Sequence, residues 1–221
     1  MTDFRIPRIL DPAPNFEANS THGVIRLTDY TSKGKWVLLF SHPADFTPVC
    51  STEFLEFARR SEEFERLNVQ LIGVSIDSVY SHIAWLRDLE AISGLPIRFP
   101  VIGDLDQRVS RAYGLVHEAE NDAATVRSVF AIDPRGYVRA LLYYPMQLGR
   151  NIDELVRVFE ALQIIDANAV SCPANWRPGE AVIVPAPATL EEAARRTSDK
   201  DAGVDVTRWY LAKKELPVSK K

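Results

Sequence analysis

An unbroken apolar strand that runs through a short loop into an amphipathic helix, followed at once by a second strand and helix, leaves this chain few folds. The segment GKWVLLFSHP, residues 34–43, carries five consecutive apolar residues between a glycine and a proline, the pattern of a central strand covered on both faces. Downstream, Phe54, Phe57, Ala58, Phe64 and Leu67 recur at spacings of three and four, which predicts one helix over 52–67. Residues 69–76 repeat the buried strand and 79–89 the helix. Two such units in series predict an α/β sheet. Beyond them, 99–104 reads as a short strand or loop and 106–113 as a brief helix closed by Gly114. Residues 125–132 and 137–144 read as a hairpin around Asp133-Pro134-Arg135-Gly136, and Asn151 is placed to cap a helix over 152–167. The core domain is expected to span 1–168.

The remainder, 169–221, changes character. Pro173, Pro178, Pro185 and Pro187 are followed by a charged run at 191–201 and a strand-like VTRWYLA at 206–212. With little apolar material, this extension is expected to bury no core of its own and to wrap another surface, a neighbouring subunit first of all. At 221 residues the chain needs neither metal nor disulfides in place of a core. Its 26 basic and 30 acidic side chains leave a charge of -4, which argues against nucleic acid as a partner. No apolar run approaches the roughly 20 residues that span a bilayer, so no membrane partner is expected. The start, MTDFRIPRILDPAPNF, lacks an apolar run of signal length and is interrupted by Asp3, so a cytoplasmic location is expected.

Two cysteines, Cys50 and Cys172, exclude a disulfide-rich scaffold and a four-cysteine zinc site. The four histidines show no H-x-x-x-H spacing, and no metal is expected. Cys50 falls where a strand gives way to a helix beginning near Ser51. There the unpaired N–H groups and the positive helix end favour thiolate over thiol. An inert buried thiol is the competing reading. Thr47 can turn its hydroxyl toward the same point, Pro48 fixes the approach of the chain, and His42 is a titrating neighbour. Glu53, in the first helical turn, would oppose a thiolate unless an arginine compensates, and Arg127 is the arginine proposed for that. Tyr80, Trp85 and Trp176 read as packing residues.

The stretch Pro43-Ala44-Asp45-Phe46-Thr47-Pro48-Val49-Cys50 matches P-x-x-x-T-x-x-C, and FSHPADFTPVCSTE closely resembles the peroxidatic loop of the peroxiredoxins. APNFEA, VRSVFAIDPRGYVRA, LGRN and the proline-rich extension carry the likeness along nearly the whole chain, and SHP with the long extension resembles the 1-Cys subgroup. The resemblance implies a thioredoxin-like fold and reduction of hydrogen peroxide and organic hydroperoxides without metal, haem or flavin. It makes Cys50 the peroxidatic cysteine, has Thr47 orient the peroxide and hydrogen-bond the thiolate, and has Pro43 shield the sulfur. Arg127 would polarise the substrate, Arg150 would be the second arginine of the pocket, and His42 would lie close enough to take part. It further implies a dithiol reductant, thioredoxin-like or a small thiol, and a homodimer or a ring of dimers, commonly a decamer. One segment departs from the 1-Cys pattern: Val170-Ser171-Cys172-Pro173-Ala174-Asn175-Trp176 is similar to the resolving-cysteine segment of 2-Cys enzymes, which makes Cys172 a resolving candidate beside its reading as an idle thiol. A dithiol oxidoreductase would need a C-x-x-C partner that Cys50 lacks, and a lipase-like site would need a G-x-S-x-G that is missing. A redox-regulated holdase is the rival from another class, separable by peroxide turnover against suppression of client aggregation.

Overall fold

A computed structural model describes residues 6–198 and 203–217; Asp3, the last three residues of the charged run (199–201) and the end of the extension lie outside the described residues. The chain divides into two compact units, Met1–Asp153 and Glu154–Lys221.

In the first unit the elements are β1 (Glu17–Ser20), β2 (Gly23–Arg26), α1 (Thr28–Thr31), β3 (Trp36–Ser41), α2 (Pro48–Arg59), α3 (Ser61–Arg66), β4 (Val69–Ser75), α4 (Val79–Ser93), β5 (Val101–Gly103), α5 (Arg108–Ala112), β6 (Arg127–Ile132) and β7 (Val138–Tyr144). The strands form one mixed sheet, ordered β2-β1-β5-β4-β3-β6-β7. β3 pairs parallel with β4 and antiparallel with β6, and every one of its residues is buried, as an uninterrupted apolar strand requires. β6 and β7 form the expected hairpin.

Side chains alternate across β3 and split the core in two. Phe40 packs on Phe57 with ring centroids 4.3 Å apart and meets Phe54 and Phe99 edge-on, which ties α2 to the sheet. Val37 and Leu39 join Ile72, Val74, Ile102, Phe130 and Ile132 in a second cluster. Each buried ring or aliphatic side chain contributes about 1.5–3 kcal/mol. α4 begins at Ser78, whose hydroxyl accepts from Ser81 N at 3.1 Å, and ends at Gly94, whose φ of +70° suits glycine. β5 approaches that helix closely: a Cβ on Gly103 would stand 2.7 Å from Val79 N.

The single helix expected over 52–67 is corrected to two. α2 already begins at Pro48, and it stops where Arg60 takes φ -96° and ψ 5°. The residues at the break, Arg59 to Glu63, have no apolar side chain to hold them to the sheet, and Arg60 instead pairs with Glu63 and Asp153. Tyr80 is also corrected: it is 85% exposed, while Trp85 and Trp176 pack inside.

The second unit takes in most of α6 (Ile152–Asn168), then β8 (Val182–Ile183), α7 (Leu190–Ser198), β9 (Val204–Arg208) and β10 (Leu211–Lys214). The expectation that this end buries no core is corrected. Trp176 and Val182 close on Val170 and Ala161, with Ile164, Cys172 and Leu216 at the margin. The stretch read as one strand is a hairpin: β9 and β10 turn back at Trp209 and Tyr210, and β8 extends them to three strands. Among the described residues no helix is long and apolar enough to cross a membrane.

Candidate active site

Cys50 is the third residue of α2, one turn in from Thr47, whose extended backbone (φ -104°, ψ 146°) starts the helix. Proline at the first helical position costs no hydrogen bond, because the N–H it lacks would have had no partner there. The thiol is fully buried, and Arg127 at the start of β6 brings Nη1 to 3.3 Å from Sγ. The same Nη1 donates to Glu53 Oε2 at 2.7 Å, and Nε donates to the Met146 carbonyl at 2.8 Å. The guanidinium is thus aimed by three contacts.

Glu53 is the hub of this arrangement. Its carboxylate also accepts from Arg150 Nε at 2.9 Å, Arg150 Nη2 at 2.6 Å and Arg150 N at 2.8 Å. Arg150 spends Nη1 on the carbonyls of Ser41 and Ser128, each at 2.9 Å, and lies over the Phe40 ring at 5.1 Å. It therefore braces Glu53, and Glu53 aims Arg127. Burial alone would raise the Glu53 carboxyl, but Arg150, followed by Arg127, outweighs it and holds the group below its ordinary range. Two guanidinium groups against one carboxylate leave one unit of positive charge beside Sγ.

Of the remaining expected residues, Pro43, Thr47 and His42 lie on the approach to the helix. Pro43 is buried. Thr47 Oγ1 gives its hydrogen to the Ala44 carbonyl at 2.8 Å rather than to Sγ, which corrects the expected hydrogen bond to the thiolate and leaves the oxygen's lone pairs as acceptors. His42 is fully buried at the end of β3, stacked on Trp85 and edge-on to Phe54, and its Nε2 meets Asp45 Oδ1 at 2.9 Å. Cys172 lies in the second unit, partly buried, with Sγ 3.9 Å from the Ala161 carbonyl; burial raises its thiol and Arg157 opposes the rise. Both cysteines are free thiols. Sequence reasoning gave Asp45 no role and read His82 as an ordinary surface histidine or a satisfied core one, the second of which the structure shows. The signal for His82 was its place on the buried stripe of α4, at His82, Trp85, Leu86 and Leu89, where a histidine must find polar partners inside.

A thioredoxin-like sheet that offers a thiol at a helix start to a guanidinium, without the C-x-x-C pair of a dithiol exchanger, has the parts of a thiol redox enzyme. The comparisons agree and are more specific. Residues 9–141 match the model of the AhpC/TSA family, and residues 161–206 match the C-terminal domain of 1-Cys peroxiredoxin. The protein called peroxiredoxin 2 of Caldanaerobacter subterraneus subsp. tengcongensis is 48% identical over 211 residues, covering 96% of this chain and 94% of that one. Peroxiredoxin 2 of Picrophilus torridus is 51% identical over 199 residues, covering 90% and 94%. Among solved structures, a yeast mitochondrial 1-Cys peroxiredoxin superposes with a TM-score of 0.84 at 39% identity, covering 96% of this chain and 100% of that chain. The reduced 2-Cys peroxiredoxin of Plasmodium vivax gives 0.75 at 31%, covering 86% and 98%. The chain belongs to the AhpC/TSA family of peroxiredoxins and carries a C-terminal domain of the 1-Cys type. It is a thiol peroxidase of thioredoxin-like fold.

Proposed function

We propose that the enzyme reduces hydrogen peroxide and small organic hydroperoxides with Cys50 as the attacking thiolate, and that Cys172 of a second subunit resolves the product. The observation that carries this reading is Arg127 Nη1 at 3.3 Å from Cys50 Sγ, in a site whose paired charges leave one positive charge over. A sulfur lone pair attacks one peroxide oxygen. The S–O bond forms, the O–O bond breaks, and the departing oxygen keeps the electron pair, takes a proton and leaves as water or alcohol. Arg127 stabilises charge on that oxygen as a fixed donor stabilises an oxyanion. Thr47 accepts the peroxide O–H, Pro43 keeps bulk water from the sulfur, Arg150 acts through Glu53, and His42 handles the proton.

The sulfenic acid then condenses with the Cys172 thiol, losing water and forming a disulfide, which a dithiol such as thioredoxin or a small thiol reduces by exchange. The yeast relative's structure concerns thiol resolution via glutathione/thioredoxin systems, which makes both donors the ones to try. A cytoplasmic homodimer, alone or in rings, with 1–168 as the catalytic domain and 169–221 as the dimerising extension, completes the reading.

Treatment with one equivalent of peroxide, followed by peptide mass spectrometry and a non-reducing gel, tests it. The expected result is a covalent dimer with a Cys50-Cys172 peptide, lost in Cys172→Ser while the first attack persists. Wild-type peroxide consumption by Cys50→Ser would remove Cys50 as the nucleophile. A protein that stays monomeric and matches Cys172→Ser in donor-dependent turnover would return Cys172 to an idle thiol.

A further inference from the structure

The sheet has two ends, and only one of them serves the peroxide chemistry. β3 and β4 run parallel, so Lys35 and Val69 gather at their amino ends, whereas Cys50 lies in the helix that follows the carboxyl end of β3. At the amino end, between α3 and the segment that leads into β5, is a cavity of about 350 Å³, within the size range of small-molecule sites. Phe64, Val69, Leu71 and Phe99, all buried, make its floor. That floor is also the outer wall of the aromatic cluster under α2. Phe64 meets Phe57 with ring centroids 6.1 Å apart, and Phe99 meets Phe54 at 5.5 Å and Phe40 at 5.7 Å.

The rim carries Lys35, Arg98 and Glu65, all exposed, and Ser61 adds a hydroxyl at the start of α3. None of the three charged side chains forms a salt bridge with a described residue. Exposed arginines elsewhere, Arg26, Arg59 and Arg108 among them, each hold a neighbouring carboxylate. The cavity therefore joins an apolar floor to a rim whose charges are unspent, the combination that fixes and orients a small amphipathic ligand.

We propose that this cavity is a binding site for a small aromatic monoanion, a flat ring body that carries one carboxylate or sulfonate. Shape and charge select that class. A ring laid against Phe64 and Phe99 gains the offset and edge-on contacts that aromatic groups prefer, and it covers the apolar floor. Two cations against one carboxylate leave the rim with one positive charge, which suits a single negative charge, while Glu65 opposes a second. Lys35 and Arg98 keep their outer sides in water, so meeting the acid costs them little desolvation. The ligand is no peroxide substrate. It binds at the opposite end of the sheet from the thiol, against rings that seat α2, and by mass action it stabilises their packing.

Fluorescence titration of the full-length protein with anilinonaphthalene sulfonate, a ring body with one sulfonate that brightens in apolar sites, tests this. Saturable binding is expected, with the methyl resonances of Val69 and Leu71 shifting in NMR spectra of methyl-labelled protein. Lys35→Glu and Arg98→Glu should each weaken binding about fivefold or more, and Glu65→Gln should tighten it about twofold. Lys213→Glu, at an exposed lysine that does not line the cavity, should leave it unchanged. Saturating probe should also leave the stopped-flow rate of Cys50 with hydrogen peroxide unchanged. The proposal is overturned by a lack of saturable binding, by methyl shifts confined to other residues, or by binding that Lys213→Glu weakens as much as Lys35→Glu does. Competition between probe and peroxide would overturn it too, by placing the probe beside Cys50. Each of these results leaves the chemistry of Cys50 standing.

Discussion

Residue by residue, the active site is a chain of aim: Arg150 holds Glu53, Glu53 holds Arg127, and Arg127 reaches sulfur. Removing the last link takes away the donor that meets the developing oxyanion. Arg127→Met should therefore cost roughly 2–4 kcal/mol in the second-order rate with hydrogen peroxide, measured by stopped flow. A rate within threefold of wild type would take Arg127 out of the mechanism. Glu53 is 3% exposed between two guanidinium groups, and its neutralisation leaves buried positive charge without its counter-ion. Glu53→Gln is expected to destabilise the fold by about 3–5 kcal/mol, read as the shift in a urea midpoint at constant slope.

Among the elements, α4 carries His82 and Trp85 against the sheet and depends on its first turn to do so. The Ser78 hydroxyl there accepts from Ser81 N, so Ser78→Ala should cost about 0.5–2 kcal/mol by urea unfolding. α2 shows how element ends are decided. Pro48 starts it before Cys50, and a stretch without apolar side chains ends it at Arg60. Cys50 is 0% exposed at the head of this helix. On the reading in which Cys172 resolves the sulfenic acid, the first turn must open locally once that acid has formed, an event far less costly than global unfolding. Amides of the first turn of α2 should accordingly exchange with solvent faster than those of its middle, in native-state hydrogen exchange followed by mass spectrometry.

On the scale of the whole molecule, buried ionisable groups set the response to acid. Asp45 and Glu53 are held below their unfolded values, so their stabilisation is complete above the ordinary carboxylate range and is lost as pH falls through it and below. His42 is likewise depressed, first by burial. It stays neutral when folded but takes a proton when unfolded, so its contribution is present above about pH 6.5 and declines below. All three act in one direction. The urea midpoint should fall from about pH 6.5 downward and more steeply below about pH 4.5, and Glu53→Gln should remove part of the steep portion. A midpoint unchanged between pH 7 and pH 4 would contradict this.

The amino-acid sequence by itself determined the alternation of buried strands and amphipathic helices, because apolar periodicity is local: the short apolar run 36–40 between Gly34 and Pro43 reads as a covered strand, and β6 and β7 follow from a turn written in four residues. It also determined the place of Cys50 at a helix start and the need for an arginine near Glu53, since charges so close in sequence must be balanced. Arg127 was already the sequence's candidate for the sulfur, but only the tertiary structure decided that Arg150 braces the carboxylate, because its side chain meets Glu53 and the Ser41 and Ser128 carbonyls only once β3 and β6 lie side by side. The same holds for Asp45 and His82, brought together across the fold from a loop and a helix, and for the small core around Trp176, which composition alone did not reveal. Hydrophobic pattern acts over a few residues, whereas a hydrogen bond between groups distant in the chain exists only once the sheet has ordered its strands.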